Sequence, residues 1–212
     1  MKRFLALLAS ATLLAVPLVG LATPAQADHL NENDQNFECT GTVNHTTFQG
    51  NVVIPDGASC TITNSTILGN VRTEGAPVLV KIINTDVRLN IHVRNVTGSV
   101  TIGDKDCLID PEVGRNLMVS NSRNVAICEM SVGNNLVLRN NTGRIMVRDN
   151  VACDNIRVVD NDVLGLRVLR NEFVVNFTVA RNQVENTRRV EDNTERTGTP
   201  AACKKAVRGA IG

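Results

Sequence analysis

Six cysteines, Cys39, Cys60, Cys107, Cys128, Cys153 and Cys203, are the residues here whose chemistry is most constrained by spacing. An even number of thiols without a Cys-x-x-Cys or Cys/His cluster points to disulfides rather than to a zinc site. Cys39 and Cys60 stand about one sequence repeat apart, as do Cys107 and Cys128. Stacked repeats would bring each pair within the Cα separation that a disulfide requires. Cys153 is left to hold Cys203 in the tail, and spacing leaves an exchange among the last four open. The other chemically versatile side chains are dispersed. His29, His45 and His92 are far apart, and His92 falls at an outward position with no second ligand one repeat away, so it reads as a surface histidine. Thr40, Thr42, Thr61 and Thr63 make a short Thr-x-Thr row, which Lys81 and Thr101 interrupt. Corner threonines in a β-rich chain are the plainer reading. Met118 and Val137, beside Ala126 and Met146, form a modest outward apolar patch for a partner or for dimerisation.

The elements that must position these residues are short strands. The segments Asn51-Val-Val-Ile, Asn70-Val-Arg-Thr, Asn90-Ile-His-Val, Asn116-Leu-Met-Val, Asn135-Leu-Val-Leu, Asn155-Ile-Arg-Val and Asn176-Phe-Thr-Val recur about every 20 residues, with one longer step after Asn90. A second set in the same phase begins at Val80, Val100, Val125, Ile145 and Leu166, and a weaker third at Ile67, Val87, Val132, Val151 and Phe173. Alternation of apolar residues with others is the period of a strand. No unit buries its apolar row alone, so each must stack on the next about 4.8 Å away. The expected fold is therefore all-β: a single-stranded parallel β-helix, or β-solenoid, of about seven or eight coils. The inward row is Val52, Val71, Ile91, Leu117, Leu136, Ile156 and Phe177.

Asparagine has a structural use in such a fold. It tolerates the left-handed backbone of tight corners, and its side chains can hydrogen-bond from coil to coil as a ladder. Asn116, Asn135, Asn155 and Asn176 form one expected ladder, and Asn140, Asn161 and Asn182 a second.

The chain opens with Met1-Lys2-Arg3, an apolar run from Phe4 to Leu21, and Ala25-Gln26-Ala27 before Asp28. A basic start, an apolar centre and a small-x-small site predict a Sec-type signal peptide over 1–27 and a secreted, extracellular protein. Residues 28–38 are read as an N-terminal cap, 39–193 as the β-helix domain and 194–212 as a C-terminal tail and cap. Within that tail, Thr199-Pro200 predicts the start of a short capping helix through Arg208. Removal of Lys2 and Arg3 leaves 20 basic against 21 acidic residues. So even a balance gives no electrostatic reason to expect nucleic acid, and no second apolar segment predicts membrane insertion.

The repeated Asn-[Val/Ile/Leu]-x-[Val/Leu/Ile] unit, with the openings Cys39-Thr-Gly-Thr and Cys60-Thr-Ile-Thr, resembles the secreted right-handed parallel β-helix proteins. More narrowly, it is similar to the small Asn- and Gly-rich solenoids exported by actinobacteria. The likeness covers about Cys39 to Asn193. The enzymes of that fold, the pectate-lyase-like polysaccharide lyases and hydrolases, imply a calcium-binding carboxylate group and a catalytic Arg or paired Asp. Asp149, Asp154, Asp160 and Asp162, with Arg148 and Arg157, are the residues such a site would draw on. A solvated rim of charge pairs is the expected use of that patch. With neither Trp nor Tyr, the chain lacks the best platforms for stacking sugar rings. The expected function is a non-catalytic extracellular scaffold or binding module, with an extracellular polysaccharide or a surface protein as partner. Pectate-lyase-like enzyme or carbohydrate binder, and ice-binding protein, are the alternatives. No catalytic, cofactor or metal residue is assigned.

Overall fold

The computed structural model describes residues 35–103 and 111–210, without the side chains of 208–210. The expected signal peptide, most of the N-terminal cap, His29 and Cys107 lie outside the described residues. Among the described residues the chain winds as a parallel β-solenoid with three sheets of eight strands. Sheet A runs from Asn36–Glu38 to Asn176–Ala180, sheet B from Thr42–Asn44 to Gln183–Glu191, and sheet C from Thr47–Phe48 to Thr194–Glu195. Each strand pairs in parallel with those one turn before and one turn after.

The core follows from that register. Val52, Val71, Ile91, Leu117, Leu136, Ile156 and Phe177 fall in one column of sheet A, as the alternation predicts. All but Phe177 are wholly buried. Facing them in sheet B is the column Val80, Val100, Val125, Ile145 and Leu166. Sheet C contributes Ile67, Val87, Val113, Val132, Ala152 and Phe173. This last column corrects the sequence reading, which placed Val151 there. Val151 pairs with Ser131 and Glu172 on the outer side, while the smaller Ala152 faces the core. Two apolar residues in succession leave the phase of a two-residue strand undetermined by alternation alone.

Corners are made by residues with left-handed φ. Asn95, Asn121, Asn140, Asp160 and Arg181 turn the chain from sheet A to sheet B. His45, Asn64, Asn84, Glu129, Asp149, Arg170 and Asp192 turn it from B to C. The residue after each corner points inward, and here the second expected ladder needs correction. Asn140 is an exposed left-handed residue, whereas its neighbour Asn141 is wholly buried. Asn141 Nδ2 donates to Asn161 Oδ1, and Asn161 Nδ2 to Asn182 Oδ1. A third ladder, Asn150 to Asn171 to Asn193, occupies the B-to-C corner. In both, the amide also donates to a backbone carbonyl further back along the chain, Val119 for Asn141 and Ile127 for Asn150. At the C-to-A corner two turns pack glycine on glycine: a Cβ at Gly133 would fall on the Gly114 carbonyl oxygen. Beside it rises the first ladder, longer than expected, in which Nδ2 donates to the preceding Oδ1 from Asn176 through Asn155, Asn135, Asn116, Asn90, Asn70 and Asn51 to Asn36.

Disulfides tie Cys39 to Cys60 and Cys153 to Cys203, with Cα separations of 5.5 and 5.4 Å. Cys128 is disulfide-bonded as well, and its expected partner Cys107 lies outside the described residues. The helix Pro200–Ala210 starts as its sequence predicts, with Thr199 Oγ1 accepting from the Ala202 amide. Its place is a correction. Cys203 bonds Cys153, Lys204 Nζ meets Asp154 at 2.8 Å, and the helix lies against Glu112, Ser131 and Val151 on the outer side of sheet C. It clasps the flank and does not cover the end. The last turn ends instead in charge: Arg188 follows Leu166 in a core column of sheet B, and Glu195 follows Phe173 in sheet C, both exposed.

Candidate functional site

Sheet B changes shape along the solenoid. Its strands lengthen from three residues at Thr42–Asn44 to nine at Gln183–Glu191. The added length enters as bulges, where the register shifts between Arg123 and Val125, between Gly143 and Arg144, and between Val163 and Gly165. At the first shift the single residue Asn124 faces two, Gly143 and Arg144, and both Asn124 and Gly143 hold left-handed backbones, φ 49° and 75°. Bulges stacked coil on coil bend the strands and open a groove of about 760 Å³ on the outer face.

The groove is built on two outward columns. One holds Arg144, Gly165 and Thr187, the other Ala126, Met146, Arg167 and Arg189. Gly165, without a side chain, leaves a notch between Arg144 and Thr187, and a Cβ there would meet nothing closer than the Thr187 carbonyl at 3.8 Å. Leu164, 40% exposed, and Met146 supply apolar surface. Arg144 and Arg167 are exposed, and neither forms an ion pair among the described residues. Asn124 and Asn186 complete the polar lining, which holds no Asp, Glu, His, Cys or Ser.

The aspartates singled out in the sequence lie elsewhere and apart from one another. Asp149, at the B-to-C corner, is gripped by Arg170 through two bonds of 2.7 Å and also meets Arg148 at 3.1 Å. Asp160, at the A-to-B corner, is held by Arg181 at 2.5 and 2.8 Å. Asp154 is taken by Lys204, while Asp162 sits at the start of its sheet B strand. The Arg181 hydrogen bond pulls the Asp160 carboxyl below its ordinary value, and Asp149 and Asp160 push Arg170 and Arg181 up. Among the described residues no three of the His, Cys, Asp and Glu side chains come together as a metal-ligand set. Arg157 stands on the outer face of sheet A in line with Val137.

His92 lies on the same outer face, between Arg72 and Met118. Desolvation and then Arg94 lower its pKa, which favours a neutral ring. The threonine row reduces to Thr42 stacked on Thr61, with Thr63 bonded to Asn44 and Lys81 next above Thr61. The supposed apolar patch is divided: Met118 and Val137 belong to sheet A, Ala126 and Met146 to sheet B. Only the second pair joins the groove.

No family model, no curated protein and no solved structure matches this chain. Its chemistry rests on its own geometry. The groove can accept an anion and cover an apolar neighbour, and it has no side chain to act as a general acid or base. The signal for it in the sequence was the widening interval between corner asparagines, from Asn141 and Asn150 to Asn161 and Asn171 to Asn182 and Asn193. A fixed repeat of 20 residues averages that interval away.

Proposed function

We propose that this chain is an exported, non-catalytic binding module of the parallel β-helix class, acting outside the cell through the groove on sheet B. One observation carries the reading: the groove gathers two guanidinium groups that form no ion pair among the described residues, amides and aliphatic surface, while Asp149, Asp154 and Asp160 are spent on separate ion pairs at the corners. General acid–base chemistry needs a titratable side chain facing the cavity, and this lining holds no Asp, Glu, His or Cys. Disulfides that cross turns form and persist in an oxidising compartment, in keeping with export. No helix of the described residues is long and apolar enough to cross a membrane. The sequence likeness to secreted β-helix proteins of actinobacteria supports the same reading.

Two measurements test it. The full chain expressed in a bacterial host should be recovered outside the cytoplasm with Asp28 as its first residue, and retention of an intact leader on cytoplasmic protein would argue against export. Incubation of the protein with polygalacturonate and calcium should release no unsaturated, ultraviolet-absorbing product. Release of such product would make it a lyase.

A further inference from the structure

Which ligand the groove takes can be read from where its charges stand, granted that the groove is the binding surface. Arg144 and Met146 lie side by side in one coil, and Gly165 and Arg167 lie over them in the next. The two arginines thus occupy opposite corners of a rectangle, one coil and one outward column apart. From the strand spacing and the two-residue step along a strand, their Cα atoms are separated by roughly 8 Å. Carboxylates at alternate positions of an extended peptide are spaced by roughly 6.8 Å. Long, flexible arginine side chains close the difference. The planar guanidinium fork pairs with a carboxylate through two parallel hydrogen bonds.

We infer that this groove binds an extended acidic peptide segment of a partner protein, with carboxylates at positions i and i+2 meeting Arg144 and Arg167 and an aliphatic side chain on the same face resting on Met146 and Leu164. The notch at Gly165 gives the peptide backbone room to approach the sheet. Met146 is unbranched and adapts to different aliphatic partners. No aromatic side chain lines the groove to stack a sugar ring, which favours a peptide over a carboxylated glycan. The lining has no acidic group to repel such a ligand.

The test uses the full mature chain and the peptide acetyl-Leu-Ser-Glu-Ser-Glu-Ser-Leu-amide, titrated by calorimetry. Binding should saturate, weaken with added salt, and fall at least about fivefold for a control peptide with its two glutamates adjacent. Arg144→Gln and Arg167→Gln should each weaken it about tenfold, the size of one charge-assisted pair, while leaving the melting temperature of these exposed sites unchanged. No binding of the peptide at millimolar concentration, or binding by both variants as tight as by the wild type, overturns the inference. If polygalacturonate binds in a manner that depends on Arg144 and Arg167 while the peptide does not, the ligand is a glycan: the groove stands and the peptide falls. If neither probe depends on the two arginines, both readings fall.

Discussion

Arg170 stands one turn beyond Asp149 and closes on it with two bonds, Nε to Oδ1 and Nη2 to Oδ2, each 2.7 Å, although both residues hold the left-handed backbone more usual for Asn. Arg181 repeats the arrangement on Asp160. Toward the C-terminal end the corner positions that earlier coils give to asparagine are thus taken by ion pairs running from turn to turn.

These corner pairs make stability depend on acid in a stated direction. The folded-state pKa of Asp160 is depressed, chiefly by the Arg181 hydrogen bond, so its contribution is present above the unfolded carboxylate value and is lost as pH falls through the lower folded value. Melting temperature should therefore drop between about pH 4 and pH 2, where carboxylates protonate. Asp160→Asn, which keeps a residue suited to left-handed φ, should flatten part of that drop. An unchanged slope in the variant would remove Asp160 from the account.

The buried asparagines should matter far more than the exposed ones. Asn161 accepts from the amide and side chain of Asn141 and donates to Asn182 and to the Leu138 carbonyl. Asn161→Leu strands several buried polar groups and should cost about 2–4 kcal/mol in urea denaturation. Asn176→Ala, at the exposed end of the first ladder, should cost under about 1 kcal/mol. Similar costs at the two sites would mean that burial does not set the worth of a rung.

Charge at the open end should keep the molecules apart. Arg188 and Glu195 occupy core columns of the final turn, where a stacking neighbour would have to bury them. The double variant Arg188→Val with Glu195→Val should associate end to end with rising concentration, seen by sedimentation velocity. A double variant that stays at the sedimentation coefficient of the wild type would show that the terminal charges are not what limits stacking.

The flank helix should come loose without the core. Cys203→Ser removes the bond to Cys153 while the Lys204–Asp154 pair stays in place. Proteolysis should then cut between Arg196 and Ala206 many times faster, with the melting temperature of the sheets nearly unchanged. Loss of Cys39–Cys60, which joins two adjacent turns of the sheets themselves, should instead destabilise the whole by about 2–4 kcal/mol. Equal effects of the two losses would place the helix inside the cooperative unit.

Much of the architecture was legible because a solenoid writes its packing into its period. Residues one coil apart share a column, so the alternation from Val52 to Phe177 and the interval between Cys39 and Cys60 carry register directly. Period alone does not carry phase where two suitable residues are adjacent. Asn140 and Asn141 both satisfy the spacing, as do Val151 and Ala152, and only the fold shows which turns the corner and which faces inward. Departures from the period were hidden as well. Single-residue bulges at Asn124, Gly143 and Leu164 alter little in the sequence, yet they lengthen sheet B, open the groove, and bring Arg144 diagonally across from Arg167.

By itself, the sequence determined that the chain stacks as parallel coils, because an apolar row repeating every 20 residues or so is buried only by the coil above and below it. Tertiary structure decided what those coils present to solvent: Met118 on one face and Met146 on another, a helix on the flank instead of the end, aspartates separated at the corners, and two arginines left free over a notch. The physical reason is that burial acts on the inner column and leaves a strong periodic mark, whereas outward side chains are under no such constraint and take their neighbours from corner angles and bulges.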